Sequence, residues 1–263
     1  ADIYDAPVSI EGADLDAKIT FNPFHMSVGR MDIVDGGTTL NLSGDLRAGP
    51  QGWQVALDAG LNALKPARLL ELWPENVKPK TRKWVDENIY AGALSDVDLA
   101  FRLKPGEAPQ AYLDFDFQGA EVRFLRTMPN ITDGSGHASL SRNRFVVSVN
   151  GSSFIMPDVT VKDGPPGIVR LRADADITSV LALLNRPPLQ AMDKANLPVD
   201  VVDARAQLAG TLSFPMKKGS DPKLTIFDIN GTLAEFQSDR LVKDRALRAD
   251  QLTLNASNSG LTI

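Results

Sequence analysis

Residues 72–92, LWPENVKPKTRKWVDENIYAG, form the longest stretch of the chain that does not alternate like a β-strand. Pro74 and Pro79 disfavour helix in the residues that precede them, so the chain is expected to turn there. A short helix is predicted just before, over residues 64–72. The pattern therefore predicts a helical insertion between two β segments.

The second half of this stretch favours another short helix, over residues 81–89. Trp84, Val85, Asn88 and Ile89 are expected on one side of it, and core packing is the expected role of Trp84. Gly92 stands where a left-handed residue often ends a helix.

Most of the remaining sequence alternates apolar and polar residues with a period of two, which is typical of β-strands. The clearest runs are 15–21, 55–61, 97–103, 113–117, 145–149 and 169–177. A third short helix is predicted over residues 178–185, closed by Pro187 and Pro188. The sequence thus predicts a mainly β fold of antiparallel sheet, with one apolar and one polar face and about three short helices. Its apolar faces either meet each other in a sandwich or curve around something else.

We expect three consecutive segments. Residues 1–92 form a first β segment that ends in the helical insertion, residues 93–190 a second that ends in a short helix, and residues 191–263 the start of a third. The chain begins at Ala1 without a methionine and ends in the strand-like Leu261-Thr262-Ile263. We therefore expect it to be a piece of a longer protein.

Composition excludes several classes of function. The net charge of −5 and the pI near 5.1 argue against nucleic acid as a partner, because no basic field would attract it. The absence of cysteine excludes disulfides, thiolate metal sites and cysteine nucleophiles. No apolar run approaches the roughly 20 residues of a membrane-spanning helix.

The sequence carries no recognisable catalytic or metal-binding pattern, so neither an enzyme nor a cofactor is predicted. His25 and His137 stand in unrelated contexts, and the glycine-rich segment 134–137 is interpreted as a turn. Asp-x-Asp pairs could supply calcium ligands or paired carboxylates, but a spacing of two on a strand favours a solvated face. These pairs are Asp14/Asp16, Asp96/Asp98, Asp114/Asp116 and Asp174/Asp176.

Several anchors occur in an order that resembles a known family. They are the Leu-Trp-Pro at 72–74 with the Thr-Arg-Lys-Trp at 81–84, then FQGAEVRFL at 117–125, then Pro129 with the Gly-Ser-Gly at 134–136, and then LLNRPPL at 183–189. Together they resemble the AsmA-like C-terminal region of the bacterial envelope proteins related to YhdP, AsmA and TamB.

The resemblance implies both a fold and a function. Members of that family are anchored in the inner membrane and extend through the periplasm. A long curved antiparallel sheet forms an apolar groove along which phospholipids pass toward the outer membrane. The chain would then be a periplasmic segment that supports outer-membrane biogenesis. Its expected partners are phospholipid, the two membranes through the full-length protein, and envelope proteins at the groove ends.

In this first hypothesis acyl chains lie on the apolar faces of the strands, and no residue reacts. The candidate lining of the groove is Leu113, Phe115, Phe117, Val147, Val149, Val169, Leu171, Leu208, Leu212 and Leu224. A second hypothesis is a closed β-sandwich scaffold that assists envelope protein assembly or docks a partner, in which the same residues form a core. A third, weaker one is carbohydrate binding through Trp53, Trp73 or Trp84, in a chain with only 6% aromatic residues.

Overall fold

β-Strands dominate the computed structural model, which describes residues 9–124, 129–161, 163–186, 190–217, 219–221 and 224–262. The predicted mainly antiparallel β fold with short helices is confirmed. The chain divides into two compact units: unit 1 comprises residues 1–124 and 130–150, and unit 2 comprises residues 125–129 and 151–263.

Unit 1 is an antiparallel meander in which each strand pairs with the strands next to it in the sequence. Its strands are β1 (Gly12–Phe21), β2 (Phe24–Asp35), β3 (Thr38–Gly49), β4 (Gly52–Leu64), β5 (Ile89–Leu103), β6 (Gln110–Val122), β7 (Ile131–Ser141) and β8 (Arg144–Val149). Two helices, α1 (Pro66–Leu72) and α2 (Pro79–Asn88), separate β4 from β5. Within the described residues β1 has a strand on one side only, so the sheet is not closed there.

Unit 2 repeats the meander. Its strands are β9 (Ser152–Met156), β10 (Gly167–Asp176), β11 (Asp203–Phe214), β12 (Ile226–Val242), β13 (Arg245–Ser257) and β14 (Gly260–Thr262). Between β10 and β11 lie α3 (Ile177–Leu184), which was predicted, and the five-residue α4 (Ala191–Ala195), which was not. Pro187 and Pro188, predicted to close α3, lie outside the described residues.

The division into units differs from the three segments expected from the sequence. A boundary after residue 92 would fall inside β5, which pairs with β4 on one side and with β6 on the other. Backbone hydrogen bonds therefore tie together the residues before and after this point. The predicted boundary after residue 190 likewise falls within unit 2, between α3 and α4.

Arginine side-chain bonds hold the helical insertion together. Nε of Arg82 donates to the backbone oxygen of Trp73, and its terminal nitrogen donates to that of Leu70, each at 3.0 Å. These carbonyls belong to the end of α1, where a helix leaves backbone acceptors without partners. One side chain of α2 thus satisfies the end of α1, and both helices pack against β5.

Gly92 does not end the helix, contrary to the sequence prediction. The C-cap of α2 is Ile89, whose N–H donates to the carbonyl of Val85, and the chain passes directly into β5. Gly92 lies within β5 at a register shift, with φ of 131°. A Cβ there would lie 3.1 Å from Cα of Ala120, so this glycine permits a bulge rather than a cap.

The segment 134–137 is also not the predicted turn, because it lies inside β7. A Cβ at Gly136 would stand 1.8 Å from the carbonyl oxygen of Ser148 on β8. Here glycine serves the close approach of two backbones, a use that composition alone does not separate from a turn.

Candidate functional site

An unbroken row of apolar residues crosses all eight strands of unit 1. Each member is the direct cross-strand partner of the next, from β1 to β8. The apolar row consists of Leu15, Met31, Leu42, Ala59, Leu99, Leu113, Leu140 and Phe145. With neighbouring strands about 4.8 Å apart, it extends for roughly 34 Å across the sheet.

Parallel rows widen this apolar face. Phe115, Ala138 and Val147 form one, and Phe117, Gly136 and Val149 form another. At the far end of the strands the ring of Phe24 meets that of Trp53 edge-on, with centroids 5.7 Å apart. The face therefore offers mainly aliphatic side chains, with aromatic rings at Phe24 and Trp53 and again at Phe115, Phe117 and Phe145.

Little covers the apolar face of β1 to β4, whereas on β6 and β7 it includes a small buried core of Phe117, Ala120 and Ala138. From β1 to β4 only Leu64 is buried, and β1 is exposed along its whole length. Leu99, at the middle of the apolar row, is 37% exposed. Two packed sheets would bury their inner faces, so the apolar face of unit 1 is not the inside of a closed sandwich.

The apolar face of unit 2 is partly covered. Leu208 and Leu233 are buried in a core to which Ile177 of α3, Met192 of α4 and the residues just before β11 contribute. Val169, Leu171 and Leu212 lie on the same face of β10 and β11 and are half-buried.

Nine of the ten predicted lining residues lie on these apolar faces, five in unit 1 and four in unit 2. Phe117 and Leu208 are buried, however, so they offer little free surface. Leu224 was placed wrongly. It lies between β11 and β12, outside the strands, and is 61% exposed. The true apolar positions of β12 begin with Phe227, opposite Leu212, while Ile226 faces the polar side.

Sequence reasoning missed the part of the apolar face that β1 to β4 contribute. The alternation in residues 15–21 and 55–61 was the signal that could have found it. In β2 that signal is broken by a bulge between Val28 and Met31, which changes which residues face the apolar side.

The opposite face of unit 1 is polar and contains a cavity of about 790 Å³. Its walls include Arg30, Asp32, Asn41, Asp58, Asp98 and Tyr112. Hydrogen bonds from Asn41 and then Arg30 hold the pKa of Asp32 below its usual value. Asp58 accepts two bonds from Arg102, at 2.7 and 3.0 Å. Arginine side chains thus pair with two of the carboxylates in the cavity, whose walls also include residues of the apolar row.

His137 lies on this polar face between two aspartates that the sequence did not connect with it. Its Nδ1 is 2.8 Å from Asp116 and its Nε2 is 3.2 Å from Asp114. The bond to Asp116, followed by the charge of Asp114, raises the pKa of His137. Both aspartates are exposed, as their spacing predicts. No metal-binding cluster is found among the described residues.

Comparison of the chain with known protein families, curated proteins and solved structures finds no match. The resemblance to the AsmA-like region therefore rests on the sequence anchors alone. None of the described helices is long and apolar enough to cross a membrane.

Proposed function

We propose that the apolar face of unit 1 binds the acyl chains of phospholipids. On this proposal the chain is a periplasmic segment of an AsmA-like protein that conducts lipids between the inner and outer membranes and supports outer-membrane biogenesis. The observation that carries the proposal is the apolar row, which crosses eight strands and has no buried member. Exposed apolar surface of this extent marks a binding site in soluble proteins.

The chemistry of the face favours aliphatic ligands. Leu, Met and Ala make up the centre of the apolar row, and no charged side chain interrupts it. A chain of about 15 methylenes that buries one side gains roughly 6 kcal/mol, at ~0.8 kcal/mol for each fully buried methylene. Before the cost of association is subtracted, that corresponds to a Kd of tens of micromolar, so the net affinity is weaker. Weak, reversible binding suits a surface along which a lipid moves, and no residue has to react.

A closed sandwich scaffold is the alternative, and the half-exposed residues of unit 1 weigh against it. A sandwich of this size would bury the apolar positions of β2, β3 and β4, all of which keep contact with solvent except Leu64. The covered core of unit 2 suits a structural role better, so we assign acyl-chain binding to unit 1.

Adjacent residues on opposite faces of β5 provide the test. Leu99→Asp places a charge in the apolar row, whereas Ala100→Asp places the same charge on the polar face. A fluorescent fatty acid, titrated as a monomer without vesicles, is expected to bind the wild-type protein and Ala100→Asp alike. Leu99→Asp is expected to bind at least tenfold more weakly, because a carboxylate on the face would be desolvated by the ligand.

Native mass spectrometry with lipid extraction complements the titration. Phospholipid at near-stoichiometric levels is expected on the wild-type protein. Circular dichroism of both variants establishes that they fold. A wild-type protein that binds neither phospholipid nor the probe, or a folded Leu99→Asp variant that binds the probe as tightly as wild type, would refute the proposal.

A further inference from the structure

One face of α2 presents a tryptophan and two lysines to solvent. Lys83 and Trp84 lie three and four positions after Lys80, which makes each of them a neighbour of Lys80 on the helix surface. Trp84 is 42% exposed and the side chain of Lys83 is 73% exposed. The other side of the helix, with Val85 and the Arg82 bonds to α1, does the packing. Contrary to the sequence prediction, Trp84 does not pack in the core.

This surface is locally basic in an acidic protein. The chain carries a net charge of −5, yet residues 78–83 hold four cations in six positions. Arg82 donates hydrogen bonds to α1. Lys78, just before the helix, is a third exposed lysine beside Lys80 and Lys83. The acidic group on the same helical face is Glu87, which lies 3.6 Å from Lys83.

We propose that Lys78, Lys80, Lys83 and Trp84, together the Trp84 face, dock onto the anionic phospholipid headgroups of a bilayer surface. Indole combines an apolar body with an N–H donor, a combination that favours the boundary between lipid and water. Lysines near an anionic leaflet are attracted to its surface potential. The charge of the Trp84 face is therefore complementary to such a membrane.

A bilayer fits the composition better than a protein partner does. Lysine is depleted in the buried centres of protein interfaces, where desolvating its ammonium is costly. At a membrane surface a lysine keeps its head hydrated and still gains from the diffuse negative potential. Exposed Val77, in the turn before α2, adds apolar contact beside the lysines. The inference goes beyond acyl-chain binding, which concerns the sheet and not this helix.

Vesicle cosedimentation of the 263-residue chain tests the proposal. Binding is expected to vesicles of phosphatidylethanolamine with phosphatidylglycerol and not to pure phosphatidylcholine, and to weaken as salt screens the charges. Lys80→Gln with Lys83→Gln is expected to lower the partition coefficient by about 25-fold, roughly fivefold for each lysine. Trp84→Ala is expected to weaken binding several-fold.

A charge-matched control distinguishes the effect of losing these two lysines from the effect of lowering the net charge of the protein. Lys18→Gln with Lys104→Gln removes two exposed lysines elsewhere in unit 1 and is expected to leave the partition coefficient within twofold of wild type. An equal loss in this control, equal binding to both kinds of vesicle, or no vesicle binding would overturn the proposal. Binding to soluble polyaspartate but not to anionic vesicles would overturn it in favour of an acidic protein partner.

The two proposals can fail separately. Leu99→Asp is expected to keep its affinity for anionic vesicles, and Lys80→Gln with Lys83→Gln is expected to keep its affinity for the monomeric fatty acid. Loss of vesicle binding in Leu99→Asp would mean that the sheet, and not the Trp84 face, contacts the bilayer.

Discussion

Two leucine-to-alanine substitutions, Leu99→Ala and Leu233→Ala, measure how open the apolar face of unit 1 is. Both remove the same three carbons, worth about 2.4 kcal/mol when fully buried at ~0.8 kcal/mol each. Leu99 is 37% exposed, so its loss is expected to cost about 1.5 kcal/mol, with no cavity term because the face opens to solvent. Leu233 is 2% exposed and also leaves a cavity, which raises the expected cost to about 3–4 kcal/mol.

Native-state hydrogen exchange followed by mass spectrometry is the assay, because it resolves local stability in each unit. Peptides from β5 measure Leu99→Ala, and peptides from β12 measure Leu233→Ala. All three tryptophans lie in unit 1, so urea unfolding followed by tryptophan fluorescence provides a second measurement for Leu99→Ala. A loss of 3 kcal/mol or more in β5 would refute the reasoning, because only a covered leucine costs that much.

Three further predictions concern other parts of unit 1. Gly136→Ala is expected to destabilise unit 1 by about 2–4 kcal/mol in urea unfolding, since its Cβ would overlap the β8 backbone, whereas Gly12→Ala, with open space around it, should stay within about 0.5 kcal/mol. Arg82→Met removes the hydrogen bonds that attach α2 to the end of α1, so the amides of α1 are expected to exchange faster and the local stability to fall by about 2 kcal/mol. In an NMR titration His137 is expected to titrate above the usual pKa of about 6.5, and Asp116→Asn should lower its pKa. The stabilisation by protonated His137 is fully present below pH of about 6.5 and is lost as the pH rises through the raised pKa. A wild-type His137 that titrates at or below about 6.5 would contradict this prediction.

Period-two alternation predicted the strands well because it follows from the pleat itself. Leu113, Phe115 and Phe117 were expected to share a face, and their pairing with β7 confirms it. The three predicted helices also exist, because proline and apolar periodicity act within a few residues. Such local signals do not depend on which strand lies beside which.

Errors arose where an irregular backbone changes the side to which side chains point. In β2 the bulge changes the parity, and before β12 the alternation at Leu224 and Ile226 is out of phase with the strand that follows. Trp84 was misplaced because Val85, beside it in the sequence, is the residue that packs.

Contacts between neighbouring strands could not be predicted without the register. His137 meets Asp114 and Asp116 only because β6 and β7 pair with Asp116 opposite His137. Their separation of more than 20 positions carries no periodic signal in the sequence. The sequence also does not show that the apolar face is open, because an exposed leucine and a core leucine give the same alternating pattern.

The meander of unit 1 has a consequence for how the chain folds and comes apart. Every ladder in unit 1 joins strands that are consecutive in the sequence, so each strand is stabilised mainly by the two strands beside it. A sheet without a shared core behaves like a one-dimensional array, in which each hairpin is held by the hairpins beside it. Removing the first hairpin, β1 with β2, would then shorten the array without unfolding the strands beyond it. Growth or loss of such a protein by one hairpin at a time leaves the fold of the remainder intact.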